Sequence, residues 1–263
     1  MSGFFILFFL IMFMFSGCVM HNIDDKATRD VIIAKYAEKP VSIDGNLDDE
    51  IWRTAPSYKF SLSRASLLPL NKRIDKRPGI DKLTEQGEVK FAWNEKFLYI
   101  GAKLYDSDIA QESVKDQEYH FSSGDVLEIF LKPKNSTWYW EIYGTPNEKK
   151  TILCSPGRGR LGLKNYCGTV MQTDDIIIAT KIKGTLNNWQ DKDEYWTIEM
   201  AIPSKILTCF GDSFGYNSEW TILIGRYNYS RYLQWVELSS IPQLSITHFH
   251  LTEEYGILKF EKP

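Results

Sequence analysis

Alternation of apolar and polar residues with a period of two constrains the fold of this chain more than any other feature. Val89, Phe91 and Trp93 alternate with polar or small neighbours, a short turn follows at residues 94–96, and residues 97–105 continue as a second run. This pattern is typical of a β-hairpin with half-buried strands. Similar runs occur at residues 125–132, 138–145, 176–183, 195–202, 220–229 and 255–260.

The runs are short, and Gly, Pro, Asn and Asp separate them. We therefore predict an all-β fold, a two-layer antiparallel β-sandwich of jelly-roll or immunoglobulin-like type with about ten to twelve strands. Only short helical turns are expected, at residues 48–54 and 204–207, and residues 67–86 form one long irregular insertion. Roughly 245 residues follow the N-terminal apolar segment, a length that one sandwich domain can accommodate.

The N-terminal segment indicates export. Residues 4–15 are all apolar, and Ser16, Gly17 and Cys18 follow them. The run is shorter than the roughly 20 residues that cross a bilayer as a helix, which favours a signal peptide. Residues 15–18 resemble a bacterial lipobox, whose cysteine is lipidated and becomes the mature N-terminus.

We therefore expect a signal peptide at 1–18 with lipidation at Cys18, a flexible tether at 19–34 and a folded domain at 35–263. The protein would then be held on a membrane surface of the cell envelope, on its periplasmic or extracellular face. An uncleaved membrane anchor is the alternative.

Charge and cysteine content narrow the partners. The formal net charge of -3, from 31 basic and 34 acidic residues, argues against nucleic acid as a ligand.

Beyond Cys18 the chain contains Cys154, Cys167 and Cys209, which allow at most one disulfide among them. A turn-rich segment separates Cys154 from Cys167, and we predict that these two pair in an oxidising compartment. The alternative is that they remain buried thiols.

Several motifs, in the correct order, resemble the family-9 carbohydrate-binding modules and their wider DOMON-like relatives. The opening segment, residues 41–52, reads Val-Ser-Ile-Asp-Gly-Asn-Leu-Asp-Asp-Glu-Ile-Trp, and the last, residues 255–260, reads Tyr-Gly-Ile-Leu-Lys-Phe. Between them lie the hairpin at residues 91–100, Tyr-Asp-Ser-Asp-Ile at residues 105–109, the Asp-x-x-Glu strand at residues 124–131 and a sheet element at residues 196–203.

The resemblance implies a jelly-roll-like sandwich, often with structural calcium, in which two aromatic rings clamp a terminal sugar. The family places a tryptophan before the Asp-x-x-Glu strand and another before the final strand. This chain has Phe121 and Phe249 at those places, each beside histidine. We expect these two rings to be the sugar platforms.

Alternation also selects polar candidates for ligand binding. Val126, Glu128 and Phe130 fall on one face of their strand, and residues 220–228 place Arg226 and Asn228 on one face of another. If the two strands share a face, Glu128, Arg226 and Asn228 line the ligand slot; an internal Glu128 to Arg226 ion pair is the alternative. Among the tryptophans, core positions are expected for Trp93, Trp196 and Trp220, whereas ligand contact stays open for Trp138, Trp140 and Trp235.

Two kinds of metal site are considered. Asp44, Asn46, Asp106 and Asp108 are oxygen donors at loop positions, which suits structural calcium, although such residues also form ordinary turns. His120, His248 and His250 form an alternative zinc or copper set. DOMON-like relatives that carry haem use axial Met, His or Lys, so Met171 or Met200 could pair with one of these histidines. Haem is not expected, since the chain has no Cys-x-x-Cys-His motif.

No motif indicates catalysis. The sequence has no Gly-x-Ser-x-Gly, no His-Glu-x-x-His and no phosphate loop. Asp125 and Glu128, three apart on a strand, point to opposite faces and cannot act on one bond. We therefore expect a non-catalytic carbohydrate-binding surface lipoprotein, with glycan-degrading enzymes as possible partners. The alternatives are a DOMON-like haem- or metal-binding redox domain and a protein-binding envelope scaffold.

Overall fold

The computed structural model describes residues 29–157 and 173–263. Cys18, Cys167 and Met171 therefore lie outside the described residues, as does the predicted signal peptide. Within the described part there are twelve strands and two short helices: β1 Val31–Tyr36, α1 Glu50–Thr54, β2 Ser57–Lys59, β3 Gly87–Trp93, β4 Phe97–Tyr105, β5 Val126–Pro133, β6 Tyr139–Gly144, β7 Lys150–Ser155, β8 Ile177–Lys183, β9 Tyr195–Pro203, α2 Ser204–Leu207, β10 Trp220–Asn228, β11 Glu237–Ile241 and β12 Gly256–Phe260.

The strands form two sheets that pack face to face, which confirms the predicted sandwich. Sheet 1 has the order β7-β6-β5-β10-β12, with β11 also paired to β10. Sheet 2 has the order β3-β4-β9-β8, with β2 also paired to β3. Neighbouring strands within each sheet run antiparallel, as in the predicted hairpin of β3 and β4. No helix in residues 29–157 or 173–263 is long and apolar enough to span a membrane.

Strand β1 connects the two sheets and departs from the antiparallel pattern. Its first part pairs parallel with β12, and its last two residues, Lys35 and Tyr36, pair parallel with β3. Ile32 and Ala34 are buried in the core. Residues 31–34, which were predicted to belong to the tether, are therefore part of the folded domain.

The main core lies between the sheets and is rich in tryptophan. Trp93, Trp196 and Trp220 are at most 3% exposed, as the alternation predicted. Trp140 is buried beside Trp220, with ring centroids 5.8 Å apart, so it packs in the core and is not a ligand contact. Trp138 is half buried and donates from Nε1 to Asp212. The side chains on the outer face of sheet 1 are therefore those that remain to form a site.

Candidate functional site

A slot lies on the outer face of sheet 1. In the strand register Glu128 of β5 is opposite both Gly225 of β10 and Tyr143 of β6, so these three positions face the same side of the sheet. The slot is a cavity of about 220 Å³. Its walls are Glu128, Glu141, Tyr227 and Leu238 from the sheet, with Phe121 and residues 247–250 from the flanking loops.

The Phe249 ring packs directly against the sheet at Gly225, a position that has no side chain. A Cβ at Gly225 would lie 2.6 Å from a ring carbon of Phe249, closer than two carbon atoms can approach. The ring is 7% exposed and packs against Phe130, and the Tyr255 hydroxyl donates to its backbone carbonyl at 2.8 Å. Phe249 is therefore a buried wall of the slot rather than an open platform.

Phe121 reaches the same slot from the other side. It lies in the short 3-10 turn His120–Ser122 before β5, and its ring stacks on Tyr227 with centroids 5.4 Å apart. Tyr227 in turn meets Phe249 edge to face at 5.6 Å. The two phenylalanines thus converge on one cavity, with Tyr227 between them, and Phe121 is the more exposed ring.

Two carboxyl groups are buried in the slot. Glu128 is 2% exposed, and its Oε1 has no hydrogen-bond partner among the described residues. Burial raises its pKa well above the usual range, and the neighbouring Glu141 raises it further. Glu141 is 6% exposed and accepts a hydrogen bond from the Tyr143 hydroxyl, while burial raises the pKa of Glu141 to about 7. No lysine or arginine is among the described residues that line this slot.

The three histidines of the predicted metal site do not come together. His248 and His250 line the slot, and Nδ1 of His250 is 2.9 Å from the Tyr139 hydroxyl. His120 is fully buried against Tyr143 and is not part of the slot lining. In residues 29–157 and 173–263 no three His, Cys, Asp or Glu side chains form a group that could hold a metal ion. The predicted zinc or copper set is therefore not formed, and Met200, the haem alternative, is buried in the core.

Arg226 points to the opposite face from Glu128. It is paired in register with Leu127, and its terminal nitrogens donate to the carbonyls of Tyr105 at 2.6 Å and Glu85 at 3.0 Å. Its ion-pair partner is Asp106 at 3.4 Å. The predictions that Arg226 lines the slot or pairs with Glu128 are both wrong, because the register offsets the two residues by one position.

Asn228 follows Arg226 to the inner face. Its side-chain nitrogen donates to Glu85 Oε2 at 2.7 Å, and it is 1% exposed. We call these four residues, Arg226, Asp106, Asn228 and Glu85, the Arg226 cluster. Since the cluster lies away from the slot, the expected ligand role of Asn228 has no support from the geometry.

The residues predicted to bind calcium are distributed over separate places. The backbone nitrogens of Asp44 and Gly45 donate to Glu199 in β9, whose other oxygen accepts from the Trp52 indole at 2.6 Å. Asn46 donates from its backbone to Asp44 Oδ1. Asp106 belongs to the Arg226 cluster, and Asp108 pairs with Arg231. The described residues thus offer no preformed calcium ligand set.

Trp235 lies in a second cavity beside the slot. This cavity has a volume of about 370 Å³ and shares Leu238 and Thr247 with the slot. Trp235 is 40% exposed, its Nε1 donates to the Pro78 carbonyl at 3.2 Å, and the guanidinium of Arg77 lies 5.2 Å from its ring. The irregular insertion thus supplies a wall of this cavity, which adjoins the slot.

Cys154 is buried on β7, and the residue predicted to pair with it, Cys167, lies outside the described residues. The disulfide therefore stays a prediction.

Sequence reasoning missed Glu141 and Tyr143, whose hydroxyl donates to Glu141, and also the slot residue Tyr227. A signal for the first two was present, since Tyr139, Glu141 and Tyr143 alternate along β6 and place a carboxylate between aromatic neighbours. Tyr227 follows Arg226 and so belongs to the opposite face of β10. Only the strand register brings these residues beside Glu128.

The fold agrees with one family of binding modules. The family described as "Carbohydrate family 9 binding domain-like" matches residues 43–209, which is more than half of the chain, and the chain belongs to that family. This is a family of non-catalytic binding modules. The search of curated proteins gave no match.

Solved structures support the fold assignment. A proposed carbohydrate-binding protein from Bacteroides uniformis is similar with a TM-score of 0.63 and 12% identity, covering 88% of this chain and 99% of that one. A family-9 module from Caldicellulosiruptor kristjanssonii in complex with cellotriose has a TM-score of 0.56 and 14% sequence identity, and the match covers 89% of this chain and 95% of that one. A family-9 module from the same organism in complex with glucose has a TM-score of 0.55 and 14% sequence identity, and the match covers 89% of this chain and 97% of that one.

Proposed function

We propose that this protein binds a carbohydrate, without transforming it, in the slot on the outer face of sheet 1. The observation that carries the proposal is a cavity bordered by aromatic rings and lined by Glu128, whose buried Oε1 has no partner among the described residues. A buried polar atom without a partner is costly, and a ligand hydroxyl would satisfy it. The similar modules with cellotriose and glucose support a sugar as this ligand.

The slot offers both kinds of contact that a sugar needs. The stacked rings of Phe121 and Tyr227 provide an apolar surface for the C–H face of a pyranose. Glu128 and Glu141 provide hydrogen-bonding oxygens beside that surface. Phe249 closes the slot from the side and acts mainly through packing.

We further propose that the ligand is an oligosaccharide. The cavity around Trp235 continues from the slot through Leu238 and Thr247, which line both. A sugar in the slot would direct its next unit into this space, where the Trp235 ring is partly exposed. Trp235 would then contact the second or third unit of the chain rather than the terminal one.

Titration calorimetry with glucose and cellotriose tests the proposal. We expect Phe121→Ala to weaken binding of both sugars by about tenfold, equivalent to about 1.4 kcal/mol, because the stacking surface is removed. Tyr216→Ala is the matched control, since Tyr216 is a 48% exposed ring that does not line the slot, and it should leave affinity unchanged. Equal affinity of the Phe121→Ala variant and the unaltered protein would contradict the proposal.

We also propose that Cys18 is lipidated and holds the domain at the envelope surface, where it would bind glycans beside separate glycan-degrading enzymes. The apolar run before Cys18 supports this. Membrane fractionation tests this. The unaltered protein should be recovered in the membrane pellet, and the Cys18→Ala variant should be recovered in the soluble fraction. Retention of the variant in the pellet would contradict a lipid anchor at this residue.

A further inference from the structure

The slot has an acidic wall that the described residues leave without a cation. Glu128 and Glu141 come from neighbouring strands and face the same cavity, and none of the described lining residues is lysine or arginine. Among the described residues, the Tyr143 hydroxyl donates to Glu141, and Glu128 Oε1 has no hydrogen-bond partner. Other buried carboxylates among the described residues have donors within the protein: Asp106 has Arg226, and Glu199 accepts from backbone N–H groups and the Trp52 indole.

We propose that the slot selects sugars that carry a free ammonium group, such as glucosamine and its oligomers, over the corresponding neutral sugars. The inference rests on the proposed function, because it assigns the ligand class of the same slot. It is an inference about charge and therefore can fail while carbohydrate binding itself holds.

Charge balance is the physical reason. A neutral hydroxyl can hydrogen bond to Glu128, yet it leaves two ionisable carboxyl groups side by side, each at most 6% exposed, where like charges would repel. An ammonium group supplies three donors and one positive charge, so it satisfies Glu128 Oε1 and allows Glu141 to ionise as well. The faces of Phe121 and Tyr227 also attract a cation.

The other titratable groups around Glu128 do not replace such a cation. Tyr143 on β6 and Tyr227 on β10 are neutral hydroxyls, and burial raises the pKa of both. Burial lowers the pKa of His250, which keeps its ring neutral near neutral pH. His248 is exposed at the mouth of the slot.

The remaining groups near the two carboxyls are equally without positive charge. Tyr139 on β6 contacts His250, and Tyr255 before β12 is fully buried, with its pKa raised by burial. His120 lies behind Tyr143 and burial lowers its pKa. A cationic ligand would thus stabilise the ionised form of the carboxyls and release protons on binding.

Calorimetry with glucose, glucosamine and N-acetylglucosamine tests the inference, because these sugars differ only in the group at carbon 2. Near neutral pH we expect glucosamine to bind about tenfold more tightly than either of the others. Repeating the titration in buffers of different ionisation enthalpy should reveal proton release with glucosamine and none with glucose. The glucosamine trimer and cellotriose repeat the comparison with longer ligands.

Glu128→Gln is the central variant, since it keeps the shape of the side chain and removes its charge. The ratio of the glucosamine affinity to the glucose affinity should fall to about twofold or less in this variant. Glu141→Gln provides a second variant with the same expected direction if Glu128→Gln does not fold. Phe121→Ala should weaken all three sugars to a similar extent and keep their ratio.

The outcomes separate the two proposals. Glucose or N-acetylglucosamine binding as tightly as glucosamine would overturn the inference and leave carbohydrate binding in place. A preference for glucosamine that persists in Glu128→Gln and in Glu141→Gln would also overturn it. If none of the sugars or their trimers binds, the proposed function fails together with the inference.

Discussion

The two faces of sheet 1 bury charged groups in contrasting ways. On the inner face, the Arg226 cluster joins Arg226 to Asp106 and to backbone carbonyls, so the protein supplies both partners. On the outer face, Glu128 and Glu141 lie beside each other at a cavity and have no cationic partner among the described residues. The comparison teaches that buried charge alone does not mark a binding site. In the slot, the described residues supply no cationic partner for Glu128 and Glu141, and the cavity has space for a ligand.

The largest expected effect is on the inner face. Replacing Arg226 by methionine would leave Asp106 buried without its partner, and we expect a loss of about 3–5 kcal/mol in the free energy of unfolding. Urea denaturation measures this. Arg231→Met is the control, because the Arg231 to Asp108 pair is partly exposed and should contribute about 1 kcal/mol or less. Similar losses in the two variants would break the distinction between a cluster that holds the fold and a surface pair.

On the outer face, the contribution of the two carboxyl groups to stability should instead depend on pH. Burial raises the pKa of Glu141 from 4.5 to about 7, and it raises that of Glu128 as well. A raised pKa means that the folded state holds the proton more tightly, so its contribution is complete below the unfolded value and is lost as pH rises through the folded value. Through Glu141, the free energy of unfolding should therefore fall by roughly 3 kcal/mol as the pH rises from acid to mildly alkaline.

Urea denaturation as a function of pH checks this in a Glu128→Gln, Glu141→Gln double variant. The decline in stability with rising pH should be shallower in this variant than in the unaltered protein. Some dependence remains, because burial also raises the pKa of Asp106 to about 7. Glu50→Gln is the control, since Glu50 has a side chain that is 84% exposed. If stability declined with rising pH as steeply in the double variant as in the unaltered protein, Glu128 and Glu141 would not be the source of the pH dependence.

The smallest expected effect concerns the cavity beside the slot. Trp235→Ala should weaken cellotriose about threefold and leave glucose unaffected, because Trp235 does not line the slot itself. Titration calorimetry with both sugars measures the difference. A loss for glucose as large as that for cellotriose would show that the two cavities do not act as separate subsites.

Much of the fold could be predicted because the alternation of side chains is a local property. It identified the hairpin of β3 and β4 and the buried faces of Trp196 and Trp220. The start of the domain was misplaced because β1 is held by partners distant in sequence, β12 and β3, and its own residues form too short a run to indicate a strand.

The site was only partly predictable for a similar reason. Alternation placed Glu128 and Arg226 on defined faces of their own strands. Which of these faces coincide depends on the register, and Glu128 lies opposite Gly225 rather than Arg226. A shift of one residue reverses the face. The sequence could not distinguish Phe249, a buried wall, from Phe121, a half-buried ring, since that difference depends on the close approach of Phe249 to Gly225.

A crystal structure of the protein soaked with cellotriose would test the central claim most directly. Our account predicts one sugar unit against the Phe121 ring, with a hydroxyl within hydrogen-bond distance of Glu128 Oε1, and the next unit directed towards Trp235. A sugar bound to another surface of the molecule, with the slot on the outer face of sheet 1 containing only solvent, would contradict it.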